Sequence, residues 1–122
     1  MAVDRPPKRL AEYGLKRGGA VRTCYRCDDP QAVGVALSRL ILPPERKLNR
    51  ERLGALLKRI ADGADIDPVP VYLDPEAVTV TVLDGMHRVA ASRAVGFIEL
   101  PCTPVSADDA ALLYRFTPPK FT

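Results

Sequence analysis

The sequence holds no tryptophan, a single histidine, two methionines and three cysteines. Three thiols, an odd number, do not form a self-contained disulfide framework and suit a reducing compartment. No apolar run approaches the length that crosses a bilayer, and the first residues (Met1-Ala-Val-Asp-Arg-Pro-Pro7) contain no apolar signal core. No membrane partner is therefore expected, and the expected compartment is the cytoplasm. No internal repeat or low-complexity tract is visible.

What is present is an ordinary globular composition. The 122 residues are 47% hydrophobic and 27% charged, enough for one domain with one core. The formal charge of +3 is unevenly placed. Residues 1–30 carry seven Lys/Arg against four acids, while the remaining residues carry eleven of each sign. The reading is a basic, partly flexible N-terminal segment, 1–30, followed by a domain over 31–122. Such a segment suits non-specific contact with nucleic acid through Lys and Arg, or a plain solvated leader.

Periodicity supplies the elements. Val33 to Leu42 is apolar and partly β-branched, which predicts a strand closed by Pro43-Pro44. Asn49 is a good N-cap for a helix carrying Leu53, Leu56, Leu57 and Ile60 at helical spacing, with Gly63 as its stop. Val69–Leu73 and the alternating Val78-Thr-Val-Thr-Val82 predict a hairpin about Asp74–Ala77, with Pro70 pointing to an edge or a strand start. A helix from Met86 to Val95 ends at Gly96, a strand covers Phe97–Cys102, and Ser106 with Asp109 resembles a capping box for a helix over Ala107–Tyr114. The predicted class is α+β, a mixed sheet with helices packed on it.

The chemistry concentrates at Asp84-Gly85-Met86-His87-Arg88, where a strand turns into a helix. A helix start presents unpaired N–H groups and the positive end of the dipole to an anion. Gly85 lets the backbone approach without a Cβ, Arg88 matches phosphate with a planar fork, and His87 gives or takes a proton near neutral pH. Asp84 can hold a metal or accept a proton from a hydroxyl. Plainer roles fit the same residues: Asp84 as a cap accepting from the His87 N–H, Gly85 as a turn residue, Arg88 as a solvated charge.

This corner resembles the signature of the ParB/sulfiredoxin superfamily. The likeness extends through Val35-Ala-Leu-Ser-Arg-Leu-Ile-Leu-Pro-Pro44, the helix at 50–61, Pro68-Val-Pro-Val71 and Val82–Gly96 to Ile98-Glu-Leu-Pro101, about residues 33–105. The resemblance implies a small ParB/sulfiredoxin-like domain whose corner cradles nucleotide phosphates. Gly85, the Met86 backbone N–H, His87 and Arg88 would contact phosphate, Arg52 would add a second cation, and Ser38 would lie on a strand lining the site. Asp84 matches the aspartate that the superfamily's free serine kinases use as base. The implied cofactors are ATP or CTP with Mg2+, with Asp84 as the metal ligand, Asp84 and His87 as catalytic groups, and a small-molecule or protein acceptor that no residue identifies.

Departures narrow this. Sulfiredoxins carry a cysteine where this chain has Met86, and a thioether cannot act as the thiolate their chemistry requires, so sulfiredoxin activity is not expected. Leu42 stands where sulfiredoxins have a phosphate-facing arginine. Partition ParB proteins show Arg-Arg at the corner and a following helix-turn-helix domain, for which no room is left here. The leading expectation is phosphoryl transfer or nucleotide hydrolysis, with a small-molecule kinase as one form of it. The alternative is a DNA-associated, nucleotide-responsive partition-like or ParB-like nuclease-family module, although one histidine and one corner aspartate do not make a two-metal nuclease site.

Other constellations are weaker. Cys24-x-x-Cys27 has half a zinc spacing, completed on paper by Cys102 and His87, but a second Cys-x-x-Cys is missing. Asp62, Asp65 and Asp67 lack the calcium-hand pattern. Tyr13 and Tyr25 in the basic segment are available to stack on a base, whereas Tyr72, Tyr114 and Phe116 are too scattered to form a platform.

Overall fold

The apolar run that begins at Val33 breaks in its middle. In the computed structural model, which describes residues 13, 24–43 and 47–117, β1 spans Val33–Ala36 and β2 spans Leu40–Ile41, separated by one 3₁₀ turn, Leu37–Arg39. Then follow α1 (Arg50–Ala61), β3 (Val69–Asp74), β4 (Thr79–Val82), α2 (Met86–Val95), β5 (Glu99–Val105) and α3 (Ala107–Tyr114). The strands form one sheet in the order β1-β5-β3-β4-β2. The β1–β5 and β3–β4 pairs are antiparallel, and the β3–β5 and β2–β4 pairs are parallel.

This order forces the sheet to curl. β1 and β2 lie at opposite edges, yet only the 3₁₀ turn joins them. Four gaps in a flat sheet would set the edges ~19 Å apart. The chain from Ala36 to Leu40 reaches no more than ~14 Å. The expected single strand is thus two short ones, because one connection of three residues must close the curl.

Alternation along the strands divides the interior. Val33, Val35, Val69, Val71, Leu73, Val80, Val82 and Leu100 share the main core, against which Leu56 and Ile60 of α1 and Met86 of α2 pack. Each buried aliphatic side chain contributes roughly 1.5–3 kcal/mol. The opposite face gathers Tyr72, Leu83 and Ala110, with Tyr114 and Phe116 beside them. Residues scattered along the sequence therefore meet beneath α3, where the Tyr72 and Phe116 rings lie 5.3 Å apart at a 48° tilt. They form core, not an exposed platform.

Caps sit where the residues predict them. Asn49 Oδ1 accepts from the N–H groups of Glu51 and Arg52, and Ser106 Oγ accepts from Asp109 N. Pro70, read as an edge or strand-start signal, lies second in β3, a strand paired on both sides. Its carbonyl accepts from Leu83 N and so holds the end of β4.

One sequence expectation changes. Tyr13 and Tyr25 are each about 1% exposed and belong to the main core, so neither ring is offered to a base. Residues 24–29 run along the loop before β3: Ile66 N donates to Arg26 O, and Asp28 N to Asp65 Oδ1. Apart from Tyr13 and residues 24–30, the basic segment lies outside the described residues, and so does any contact with nucleic acid made there. No helix among the described residues is long and apolar enough to cross a membrane.

All three cysteines are free thiols, with Cys24 and Cys102 buried. Burial, reinforced by the charge of Glu99 and by Cys27, pushes the Cys24 thiol up to about 11. Burial pushes Cys102 up to about 12, with Cys24 adding to it and Arg88 opposing it. Burial also raises Cys27. These are protonated core groups, and among the described residues no three His, Cys, Asp or Glu side chains converge to hold a metal ion.

The raised thiols set an alkaline limit on stability. An unfolded thiol ionises near its ordinary value of 9.0, while the folded Cys24 and Cys102 keep their protons to about 11 and 12. Their contribution is complete below pH ~9 and is lost as pH rises toward ~12, because the unfolded state releases protons first. Urea midpoints measured from pH 7 to 11 should fall above pH ~9, and more shallowly in Cys102→Ala. An unchanged slope in that variant would contradict the assignment.

Candidate functional site

α2 begins without a side-chain cap. Gly85 occupies the N-cap position at φ 95° and ψ 34°, a left-handed conformation, and no side chain bonds to the helix start. The N–H groups of Met86, His87 and Arg88 have no acceptor within the helix and are left to a ligand or water. Asp84 does not cap it: Asp84 Oδ1 accepts at 2.8 Å from Gly85 N, short of the helix. The carboxylate is exposed beside the corner, its other oxygen free to meet solvent or a ligand.

Arg88 folds back over this turn. Its Nη1 donates to the main-chain carbonyls of Asp67 at 3.0 Å and Pro68 at 2.8 Å, at the entrance of β3. Its Nη2 lies 2.9 Å from where a Cβ on Gly85 would stand. The glycine is thus required twice, for its positive φ and for the space the guanidinium occupies. The Asp67 carbonyl also accepts from the Tyr25 hydroxyl at 2.7 Å. Burial raises the Tyr25 phenol well above its ordinary value, opposed by the nearby Arg88, so it stays a donor.

His87 faces a different partner. Its Nε2 accepts at 2.9 Å from the main-chain N–H of Asn49, the cap residue of α1. The bond joins the starts of the two helices, which pack against each other.

These features border a cleft of about 620 Å³ between α1 and the α2 corner. Arg52, Ala55, Leu56 and Arg59 line it from α1, at i, i+3, i+4 and i+7, hence one helical face. Asp84 to Arg88 line it from the corner, and Lys47 and Leu48 from the approach to α1. Lys47, Arg52, Arg59 and Arg88 outnumber the acids Asp67 and Asp84, so the cleft is electropositive. Arg59 is fixed by donating to the Asp65 carbonyl at 2.9 Å. Leu48, Leu56, Ile66 and Met86 give the cleft apolar surface.

Six of the seven residues singled out from the sequence meet here: Asp84, Gly85, Met86, His87, Arg88 and Arg52. Ser38 does not. It lies exposed in the 3₁₀ turn, and the cleft lining does not include it. Leu42 packs against the main core. Lys47 and Arg59 escaped the sequence reading, although Arg59 stands two turns beyond Arg52 on the same helical face. The Asn49–His87 contact carries no sequence signal, since it spans 38 residues.

Solved structures share this architecture, two of them with a nucleotide or nucleotide analogue bound. A C-terminally truncated chromosome-partitioning protein ParB from Caulobacter crescentus, complexed with CTP-gamma-S, superposes with a TM-score of 0.54 at 23% identity, covering 67% of this chain and 48% of that one. Sulfiredoxin from Arabidopsis thaliana gives 0.57 at 17% identity, over 70% of this chain and 97% of that one. A free serine kinase in complex with AMP gives 0.52 at 16% identity, over 74% and 36%. This chain spans about half the length of that ParB. No family model matches the chain, and no curated protein does. The likenesses establish a ParB/sulfiredoxin-like fold, as the sequence resemblance implies.

Gly85 and Gly96 make a matched test of the corner. Both have left-handed φ, +95° and +91°, but an added Cβ meets Arg88 at Gly85 and nothing within 4 Å at Gly96. Gly96→Ala should cost only the backbone term, about 1 kcal/mol. Gly85→Ala should cost about 1–2 kcal/mol more, because Arg88 must leave its carbonyl partners. Urea denaturation reads both, and equal losses would contradict the packing of Arg88 over Gly85.

Proposed function

We propose that this chain binds a nucleoside triphosphate, ATP or CTP, with its phosphates at the α2 corner, and uses it in phosphoryl transfer or hydrolysis. One observation carries the reading: an uncapped helix start, approached through Gly85, opens into a cleft lined by four cations. Phosphate is the ligand such a site suits, since oriented N–H groups and the helix dipole act on a group already attracted by the surrounding charge. The ligands named for the structural neighbours, CTP-gamma-S and AMP, support a nucleotide over a simple anion.

In this reading the N–H groups of Met86, His87 and Arg88 take phosphate oxygens. Arg88 holds the turn open from behind, with its remaining donors toward the ligand. Arg52 and Lys47, both exposed, supply mobile charge, and the apolar lining receives the nucleoside. Asp84 is the base or the metal ligand. One carboxylate suffices for Mg2+, which usually keeps several waters and takes further oxygens from the phosphates. The exposed position of Asp84 beside the corner fits that arrangement. When bound, Mg2+ would neutralise phosphate charge. As base, Asp84 would accept the proton of an attacking hydroxyl while the new O–P bond forms and the diphosphate leaves. Met86 at the cysteine position keeps this site out of sulfiredoxin chemistry.

Thermal midpoints with ATP, CTP, GTP and ADP, each with and without Mg2+, test the proposal. A cognate triphosphate should stabilise the fold by mass action. Arg52→Ala, which removes no bond that holds the fold, should weaken binding about 5- to 20-fold, as expected for one charge-assisted phosphate contact. Asp84→Asn should retain binding and lose turnover. No stabilisation by any nucleotide would refute the reading, and full turnover in Asp84→Asn would remove the base.

A further inference from the structure

We propose that the imidazole of His87 is a positioning residue: through Nε2 it holds the α1 cap against the phosphate-facing turn of α2, fixing the width of the cleft. This rests on the nucleotide reading for its effect on a ligand, while the bond itself belongs to the free protein.

The chain of contacts is short and continuous. Asn49 Oδ1 is occupied by the N–H groups of Glu51 and Arg52 at 2.9 and 3.1 Å, so the Asn49 side chain and the first turn of α1 move together. The Asn49 main-chain N–H stands outside the helix and donates to His87 Nε2 at 2.9 Å. His87 lies in the first turn of α2, between Met86 and Arg88. The bond therefore joins the α1 cap, just ahead of the Arg52 wall, to the His87 side of the cleft. Arg52 leans on the same cap through its own N–H, so its distance from the α2 N–H groups is set by His87.

The bond also settles the ring's chemistry. A nitrogen that accepts an N–H is bare, so the neutral ring carries its proton on Nδ1. Taking a proton at Nε2 would replace an acceptor with a donor facing the Asn49 N–H and break the tie. The imidazole is thus committed as an acceptor toward α1. The contribution of His87 at the phosphates is its main-chain N–H.

Two isosteres separate a tie from a ligand contact. Glutamine places Oε1 near the position of Nε2 and can still accept from Asn49 N. Asparagine keeps a polar group near Nδ1 but cannot reach. With ATP and CTP as calorimetric probes, His87→Gln should bind within about twofold of the native protein. His87→Asn should lose about five- to tenfold, the worth of one hydrogen bond. Loss in Gln with retention in Asn, equal loss in both, or no loss in either would overturn the proposal. Two measurements on the free protein stand independent of nucleotide binding. The ring 15N spectrum should show the Nδ1–H tautomer, and slow exchange of the Asn49 amide should survive in His87→Gln and vanish in His87→Asn. An Nε2–H tautomer, or exchange indifferent to both substitutions, would overturn the tie even if nucleotide binds. If no nucleotide binds but these two signatures appear, the nucleotide reading fails and the tie stands.

Discussion

The main-chain carbonyl of Asp67 organises the site. It accepts from the Tyr25 hydroxyl on one side and from Arg88 Nη1 on the other. Tyr25 brings the segment that precedes β1 into the core, and Arg88 brings in the start of α2. Because Arg88 is held there and at the Pro68 carbonyl, its guanidinium covers Gly85, and only a glycine turn fits beneath it. That turn in turn opens the first N–H groups of α2 to the cleft. A main-chain oxygen already satisfied by two donors from within the protein needs no ligand to complete it, so the corner is formed before any ligand arrives.

Pre-formation matters because phosphate chemistry asks for position and charge more than for reactive side chains. The Arg88 guanidinium is held on two carbonyls and Arg59 on one, whereas Lys47 and Arg52, exposed like Arg59, are tied to no carbonyl among the described residues. The cleft thus combines a rigid cradle with movable charge. The same fold carries a partition protein with CTP-gamma-S and a kinase with AMP, so the architecture alone leaves the chemistry open. In this chain the group that would decide between holding a nucleotide and turning it over is Asp84, whose carboxylate is not consumed in capping α2.

Much of this was legible in the residues because the signals are local. Asn49, Ser106, Gly96 and the Val-Thr alternation each act within a few positions, and the elements they predict are present. The clustering of Asp84 to Arg88 with Arg52 follows from a strand-helix corner meeting a helix of matching charge. What escaped depends on distant pairing. The break at Leu37–Arg39 follows from a sheet order that puts β1 and β2 at opposite edges, which no local pattern encodes. Of the two readings of Pro70, edge or strand start, the start holds: it lies second in β3, a strand paired on both sides. Tyr25 sits among charged residues and reads as exposed, but its ring is buried and its hydroxyl finds a main-chain carbonyl 42 residues away. Ser38 was placed by resemblance on a lining strand, and the 3₁₀ turn carries it out to solvent.

In the proposed complex the first N–H groups of α2 receive phosphate. Following backbone amide shifts while titrating ATP or CTP with Mg2+ addresses it directly. The amides of Gly85, Met86, His87 and Arg88 should move most, with Lys47 and Arg52 following. Saturable binding that leaves those four amides unmoved, with the shifts centred elsewhere, would contradict it.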